Sequence, residues 1–136
     1  MIVVDTNAVV HLVLGGERTA SARRAFRKDP EWAAPILWRS EFRNVLSMLM
    51  RRRSLTLADA LQAAREAESL VVGREFSVET QTVLELTSDS GCSAYDCEFV
   101  ALAAELRVQL VTSDREILAA FPTLAVAIEA FAPHAR

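Results

Sequence analysis

Lysine is almost missing from this chain. Lys28 is the only one among 136 residues, so arginine supplies nearly all of the 15 basic side chains. A phosphoacceptor receiver domain, similar in length and fold class, needs a lysine at the end of a late strand to contact its phosphoryl group; Lys28 stands on an early helix, which excludes that class. Cysteine is scarce too. Cys92 and Cys97 are the only two, too few for a disulfide framework or a cysteine metal site, and a reducing cytoplasm is the expected location. Neither histidine is placed as a ligand: His11 lies inside an apolar helical stretch and His134 in the tail. No apolar run approaches the roughly 18 to 20 residues that span a bilayer. Asp5 interrupts the N-terminal run and no basic segment precedes it, so no membrane span and no signal peptide are expected. Linkers, repeats and low-complexity tracts are also absent.

What is present is apolar. Hydrophobic residues make up 51% and charged residues 24%, the balance of a soluble globular chain with one core, read as one domain over 1–136. The net charge of −3 speaks against general affinity for nucleic acid, yet the arginines cluster at Arg23, Arg24 and Arg27, at Arg39 and Arg43, and at Arg51, Arg52 and Arg53. Arginine suits bidentate phosphate contacts better than lysine does. Taken alone, Arg51 to Arg53 read as a solvated complement to a helix C-terminus.

The pattern alternates between strand and helix. "IVVD" reads as a short buried strand and "TNAVVHLVLGG" as a helix stopped by glycine. "TASARRAFRKDP" is a second helix with Thr19 or Ser21 as cap, and "WAAP" a second strand. "LWRSEFRNVLSMLMRRR" is a long amphipathic helix with Trp38, Phe42, Val45, Leu46 and Leu49 on one side. "TLADALQAAREAESLVV" follows, capped by Thr56 or Ser54. Then come a short strand in "REFSV", a helix "ETQTVLELTSDSG", a helix "SAYDCEFVALAAEL" capped by Ser93, a strong buried strand "VQLVTSD", a short helix "REILAAF" and a last strand "LAVAIEAF". The order predicts a three-layer α/β/α domain around a central parallel sheet of four to five strands. Ligands of such sheets bind outside the carboxyl ends of the strands.

Four acids occupy positions where the pattern predicts burial. Asp5 ends "IVV" and Asp114 follows "LVTS", both at strand carboxyl ends. Glu41 shares a stripe with Leu37 and Val45, and Asp96 lines up with Val100 and Ala103. Each has a structural explanation on its own: Asp5 and Asp114 as helix caps, Asp96 as an acid in a first turn, Glu41 as a partner of Arg39 or Arg43. Four carboxylates converging at one end of a sheet would repel one another unless a cation sat among them. Oxygen ligands without His or Cys suit Mg²⁺ or Mn²⁺. Thr6, Asn7, Thr112 and Ser113 have the polar reach to orient these carboxylates or a bound water. A phosphoaspartyl phosphatase, which also begins with a strand and an Asp, wants a second Asp two residues on, where this chain has Asn7.

The segments "VVDTN", "WRSEFRNVL", "SAYDCEFVALA" and "LVTSD", in order and over nearly the whole chain, resemble the PIN-domain family, and within it the VapC-type toxins of bacterial toxin–antitoxin pairs. The resemblance implies an Mg²⁺- or Mn²⁺-dependent endoribonuclease whose acidic quartet matches Asp5, Glu41, Asp96 and Asp114. Asn7 and Thr112 match the family's polar positions beside the first and last of these. It also implies cleavage leaving a 3′-hydroxyl and a 5′-phosphate, a homodimer, and an antitoxin partner. The helices "LWRSEFRNVLSMLM" and "TLADALQAAREAESLVV" carry more apolar surface than a small sheet covers, notably Leu46, Met48, Leu49 and Met50, a second reason to expect an interface. Phosphate contacts are expected from Arg39, Arg43 and Arg115, which flank the acids in sequence. The alternatives are a PIN nuclease of RNA processing without an antitoxin and a PIN-like module that binds RNA or a partner without cutting.

Overall fold

A computed structural model describes residues 1–135. Five strands form one sheet: β1 (Ile2–Val4), β2 (Trp32–Pro35), β3 (Glu75–Phe76), β4 (Leu110–Thr112) and β5 (Ala125–Ala127). They are all parallel, in the order β3-β2-β1-β4-β5. The chain builds outward from β1 through β2 to β3, then returns across the sheet to lay β4 on the other side of β1. The switch in strand order therefore lies between β1 and β4, where a parallel sheet leaves a crevice at its carboxyl edge.

Eight helices fill the connections: α1 (Thr6–Val13), α2 (Thr19–Lys28), α3 (Leu37–Arg51), α4 (Leu57–Val71), α5 (Thr80–Ser90), α6 (Ala94–Leu106), α7 (Arg115–Ala120) and α8 (Ile128–Phe131). Every residue of β1, β2 and β4 is buried, which explains why these strands read as unbroken apolar runs instead of alternating ones. Helix α6 crosses β1, β2 and β4 with α5 packed against it. Its buried residues run without a break from Phe99 to Ala103, the pattern of a helix enclosed on all sides. On α3, Trp38, Phe42 and Leu46 face the core. No helix among the described residues is long and apolar enough to cross a membrane.

Three expectations need correction. Helix α2 begins after Arg18 with no side-chain cap; the Thr19 hydroxyl instead donates to the carbonyl of His11 at 3.0 Å, tying α2 to α1. "LAVAIEAF" is only half strand. Beyond Ala127 it turns into α8, which packs against α2 and is held by Arg18 to Glu129 at 2.9 Å and by Lys28 Nζ to the Phe131 carbonyl at 2.6 Å. Of the apolar surplus expected on α3 and α4, Leu46 is buried instead of exposed and Met48, Leu49 and Met50 are half-buried, while the large exposed residues beside them are Leu57 and Leu61 of α4.

The two-residue strand β3 is too short to hold itself at the sheet edge by backbone pairing. Glu75 anchors it. Its carboxylate accepts from Arg39 Nε and Nη2 at 2.6 and 2.8 Å and from Trp38 Nε1 at 2.6 Å, while Arg39 Nη1 reaches Glu68 at 3.0 Å. The Arg39 guanidinium accordingly holds the Glu75 carboxyl below its ordinary range. This fork fastens the first turn of α3, which has no side-chain cap of its own. Glu75→Ala should lower stability by about 1–2 kcal/mol, the worth of charge-assisted hydrogen bonds discounted for partial exposure. Urea unfolding checks it, and an unchanged midpoint would show that β3 is held by other contacts.

Candidate active site

The crevice between β1 and β4 holds a cavity of about 250 Å³ lined by Asp5, Glu41, Asp96 and Asp114 together with Thr6 and Asn7. Val45, Phe99 and Ile117 wall it, and Asn44 stands at its edge. The four acids come from four elements whose starts meet here: Asp5 before α1, Asp114 before α7, Asp96 in the first turn of α6 and Glu41 one turn into α3. Parallel strands end where helices begin, so the crevice collects helix N-termini, whose partial positive charge favours carboxylates.

Asp5 is held most firmly. Its Oδ1 accepts from the Ala8 N–H at 2.8 Å, and its Oδ2 from the Thr112 hydroxyl at 2.6 Å and the Ser113 N–H at 3.3 Å. Thr112 Oγ1 in turn accepts the Asp114 N–H at 3.0 Å, so a single hydroxyl joins the two strand-end acids. Asp114 Oδ1 caps α7 through the Ile117 N–H at 3.0 Å. Glu41 Oε1 accepts from the Thr6 hydroxyl at 2.7 Å. Asp96 sits three residues after Ser93, whose Oγ accepts the Asp96 N–H at 3.1 Å and so starts α6.

The capping explanations and the convergence are both true of Asp5 and Asp114. The ion-pair explanation of Glu41 is not: it faces a hydroxyl, and none of the four acids forms a salt bridge among the described residues. Burial pushes the Asp5 carboxyl above the ordinary range, and its three hydrogen bonds pull it partly back. Burial also raises Glu41, opposed by the Thr6 hydroxyl and reinforced by Asp96 and Asp5. Asp96 is raised by burial and by Asp114 beside it.

A cleft of uncompensated carboxylate oxygens, with no nitrogen or sulfur donor, fits a hard divalent cation. No three acidic, histidine or cysteine side chains among the described residues are arranged to enclose an ion by themselves. That still fits Mg²⁺, which keeps several waters and takes one or two carboxylates plus phosphate oxygens.

Thr6, Asn7, Thr112 and Ser113 all stand at the cleft or on its acids, as their positions beside Asp5 and Asp114 suggest. The arginines behave differently. Arg39 points away from the cleft, locked in the fork to Glu75 and Glu68, because the first turn of α3 needs an anchor. Arg43 is exposed on the α4 side of α3, and Arg115 is exposed at the start of α7; neither lines the cavity. Asn44 is the lining residue that pattern reasoning passed over. Its signal was available, since it lies three residues after Glu41 and shares its helix face. A larger cavity, about 590 Å³, opens at the opposite edge of the sheet between Met1, Val108 and Thr123. Its one carboxylate, Asp29, is taken by the amino terminus at 2.8 Å, so it gathers no comparable chemistry.

Residues 2–122 match the family model described as PIN domain. A curated relative, Ribonuclease VapC3 of Pyrobaculum aerophilum, is 29% identical over 126 residues, covering 90% of this chain and 96% of its own. Among solved structures, PAE2754 from Pyrobaculum aerophilum superposes with a TM-score of 0.75 at 23% identity, over 95% of this chain and 91% of that one. A toxin–antitoxin complex from Klebsiella pneumoniae gives 0.70 at 19% identity, over 94% and 98%.

Two variants read the cleft's energetics. Thr112→Val removes the shared hydroxyl, leaving Asp5 Oδ2 with only the long Ser113 N–H bond and the half-buried Asp114 N–H without its acceptor, so it should destabilise the fold by about 1–3 kcal/mol by urea titration; a neutral result would mean water replaces the hydroxyl. Asp5 holds its proton more tightly folded than unfolded, so the native state takes up a proton as pH falls toward the ordinary value of 3.8. Wild type is therefore relieved of a buried charge on acidification, a relief that Asp5→Asn lacks at every pH. With EDTA present, the melting-temperature difference should move in favour of wild type as pH is lowered from neutrality toward the ordinary carboxylate value of 3.8. A flat difference would contradict the burial penalty.

Proposed function

The chain belongs to the PIN-domain family, and on that premise we propose that it is a divalent-metal-dependent endoribonuclease, the toxin of a VapBC-type pair. The observation that carries this reading is the set of four carboxylates without a cationic partner around the crevice between β1 and β4. A relative named as a ribonuclease supports RNA as the substrate, and a similarly folded toxin–antitoxin complex supports an antitoxin as the partner.

Asp5, Asp96 and Asp114, with Glu41 directly or through water, would hold Mg²⁺ or Mn²⁺, which supplies an acidified water and charge neutralisation at a phosphodiester. The protein's own part is positional. Asp5 is fixed at both oxygens and defines the floor of the cleft. Thr112 sets Asp114 relative to Asp5. Glu41 has one oxygen held by the Thr6 hydroxyl and lines the cleft, which suits it to orient an attacking water or take its proton. Thr6 orients it toward the cleft. Val45, Phe99 and Ile117 lower the local dielectric, which strengthens every charge interaction inside.

The groove between α3 and α4, about 440 Å³ and lined by Leu46, Met50, Leu57 and Leu61, offers the apolar surface for the proposed antitoxin or a second copy of the chain. Leu57 and Leu61 are 60% and 50% exposed, far beyond what their size favours in an isolated monomer.

Asp5→Asn, Asp96→Asn and Glu41→Gln should each cut RNA cleavage on the order of 10²-fold or more, with circular dichroism unchanged. EDTA should abolish cleavage by wild type, and Mn²⁺ should restore it. Wild-type activity in Asp96→Asn, or cleavage that persists in EDTA, would overturn the assignment. Growth arrest on expressing the chain alone, relieved by a co-encoded small partner, separates a toxin from an RNA-processing nuclease.

A further inference from the structure

Arg51, Arg52 and Arg53, at the end of α3, take no part in the cleft described above. All three are exposed, and none forms an ion pair among the described residues. The C-terminus of a helix carries the equivalent of about half a negative charge. Three guanidinium groups overcompensate it several-fold, so the dipole alone does not account for them.

Arg53 also sits where its backbone is unfavourable. Its φ is 57°, in the left-handed region, while its N–H bonds to the Met50 carbonyl at 3.0 Å and the next N–H, of Ser54, to Leu49 at 2.8 Å. At the end of α5 the left-handed position is filled by Gly91, the residue that adopts it freely. A side chain kept against its backbone preference points to a use for that side chain. The other non-glycine residue with positive φ among those described, Arg107, lines the cavity at the opposite sheet edge and lies off this path.

Helix α3 leads from the cleft to Arg52; Arg51 lies about 80° to one side of that line, at the border of the α3–α4 groove, and Arg53 follows just past the helix end. Glu41 and Asn44 line the cavity, and a helix turns about 100° per residue. Met48 and Arg52, seven and eleven residues beyond Glu41, therefore return to within about 20° of its direction. Arg52 stands roughly 16 Å along the axis from Glu41, at about 1.5 Å per residue. Glu41 is the only acid in α3, so nothing on the helix repels a phosphate between the cleft and the arginines.

We propose that Arg51, Arg52 and Arg53 form a phosphate track that carries the backbone of single-stranded RNA out of the carboxylate cleft along α3. The proposal rests on the ribonuclease reading and adds where the strand runs. It predicts contacts with phosphate, indifferent to base identity.

The test uses full-length protein carrying Asp114→Asn, which leaves a good helix cap in place, and a fluorescein-labelled mixed-sequence RNA of about 20 nucleotides, with anisotropy followed through a NaCl series in Mn²⁺. Adding Arg51→Gln, Arg52→Gln and Arg53→Gly together should lower the log–log salt slope by about 2, at roughly 0.7 per phosphate on a single strand, and weaken binding of every sequence about tenfold or more. Arg53→Gly alone should lower the slope by about 0.7 while the melting temperature holds or rises, since glycine relieves the backbone. A purely structural arginine would not divide the two readouts in that way. Arg23→Gln, on the exposed side of α2, should leave the slope unchanged.

An unchanged slope in the triple variant, while wild type cleaves RNA, overturns the track and leaves the ribonuclease reading standing. If wild type neither binds nor cleaves RNA, both fall. An unchanged slope together with a change of oligomeric state by light scattering assigns the arginines to a protein interface and likewise overturns the track.

Discussion

One hydroxyl carries more of this structure than its size suggests. Thr112 Oγ1 donates to Asp5 at 2.6 Å and accepts the Asp114 N–H at 3.0 Å. It thus ties together the ends of β1 and β4 across the switch in strand order. Without it, Asp5 would keep only the backbone N–H bonds from Ala8 and Ser113, and each polar group left unsatisfied in the interior would cost about 1–3 kcal/mol. With it, the most buried acid of the cleft becomes the most rigid. A donor and acceptor in one side chain is what a serine or threonine supplies and valine cannot, although Thr112 sits in a strand otherwise made of Leu110 and Val111.

The same economy runs through the rest of the cleft. Asp5 and Asp114 are helix caps and members of an acidic cluster at once, and the two roles support each other. Capping fixes the carboxylate by its own backbone neighbourhood, and the helix N-termini soften the mutual repulsion of the acids. What capping does not remove is the burial penalty, visible in the raised Asp5, Glu41 and Asp96. Binding a cation or a proton would relieve that cost of buried charge.

Much of this was legible in the sequence because burial and charge conflict locally there. Asp5 after "IVV", Asp114 after "LVTS" and the acids within apolar helix stripes are anomalies that a period-2 or 3.6-residue pattern exposes, and the alternation of strand and helix leads to the parallel sheet. The parts that escaped depend on long-range partners. Arg39 stands two residues from Glu41, yet Glu75, far along the chain, decides which way it points. β3 owes its place to that fork, and "IEAF" becomes α8 because Arg18 and Lys28 of the α2 region hold it. Asn44 carried no conflict with its surroundings and so gave no signal except its spacing from Glu41.

The order of the strands has a consequence for folding. β1, made first, lies at the centre of the sheet, but its second neighbour is β4, and the Thr112–Asp5 bond closes a separation of 107 residues. Contacts this distant form late, after the loop entropy between them has been overcome. Asp5, Glu41 and Asp96 all precede Thr112 and Asp114 in the chain, so the cleft lacks its fourth acid until β4 is in place. The strand insertion that completes the sheet is therefore also the step that completes the acidic cleft.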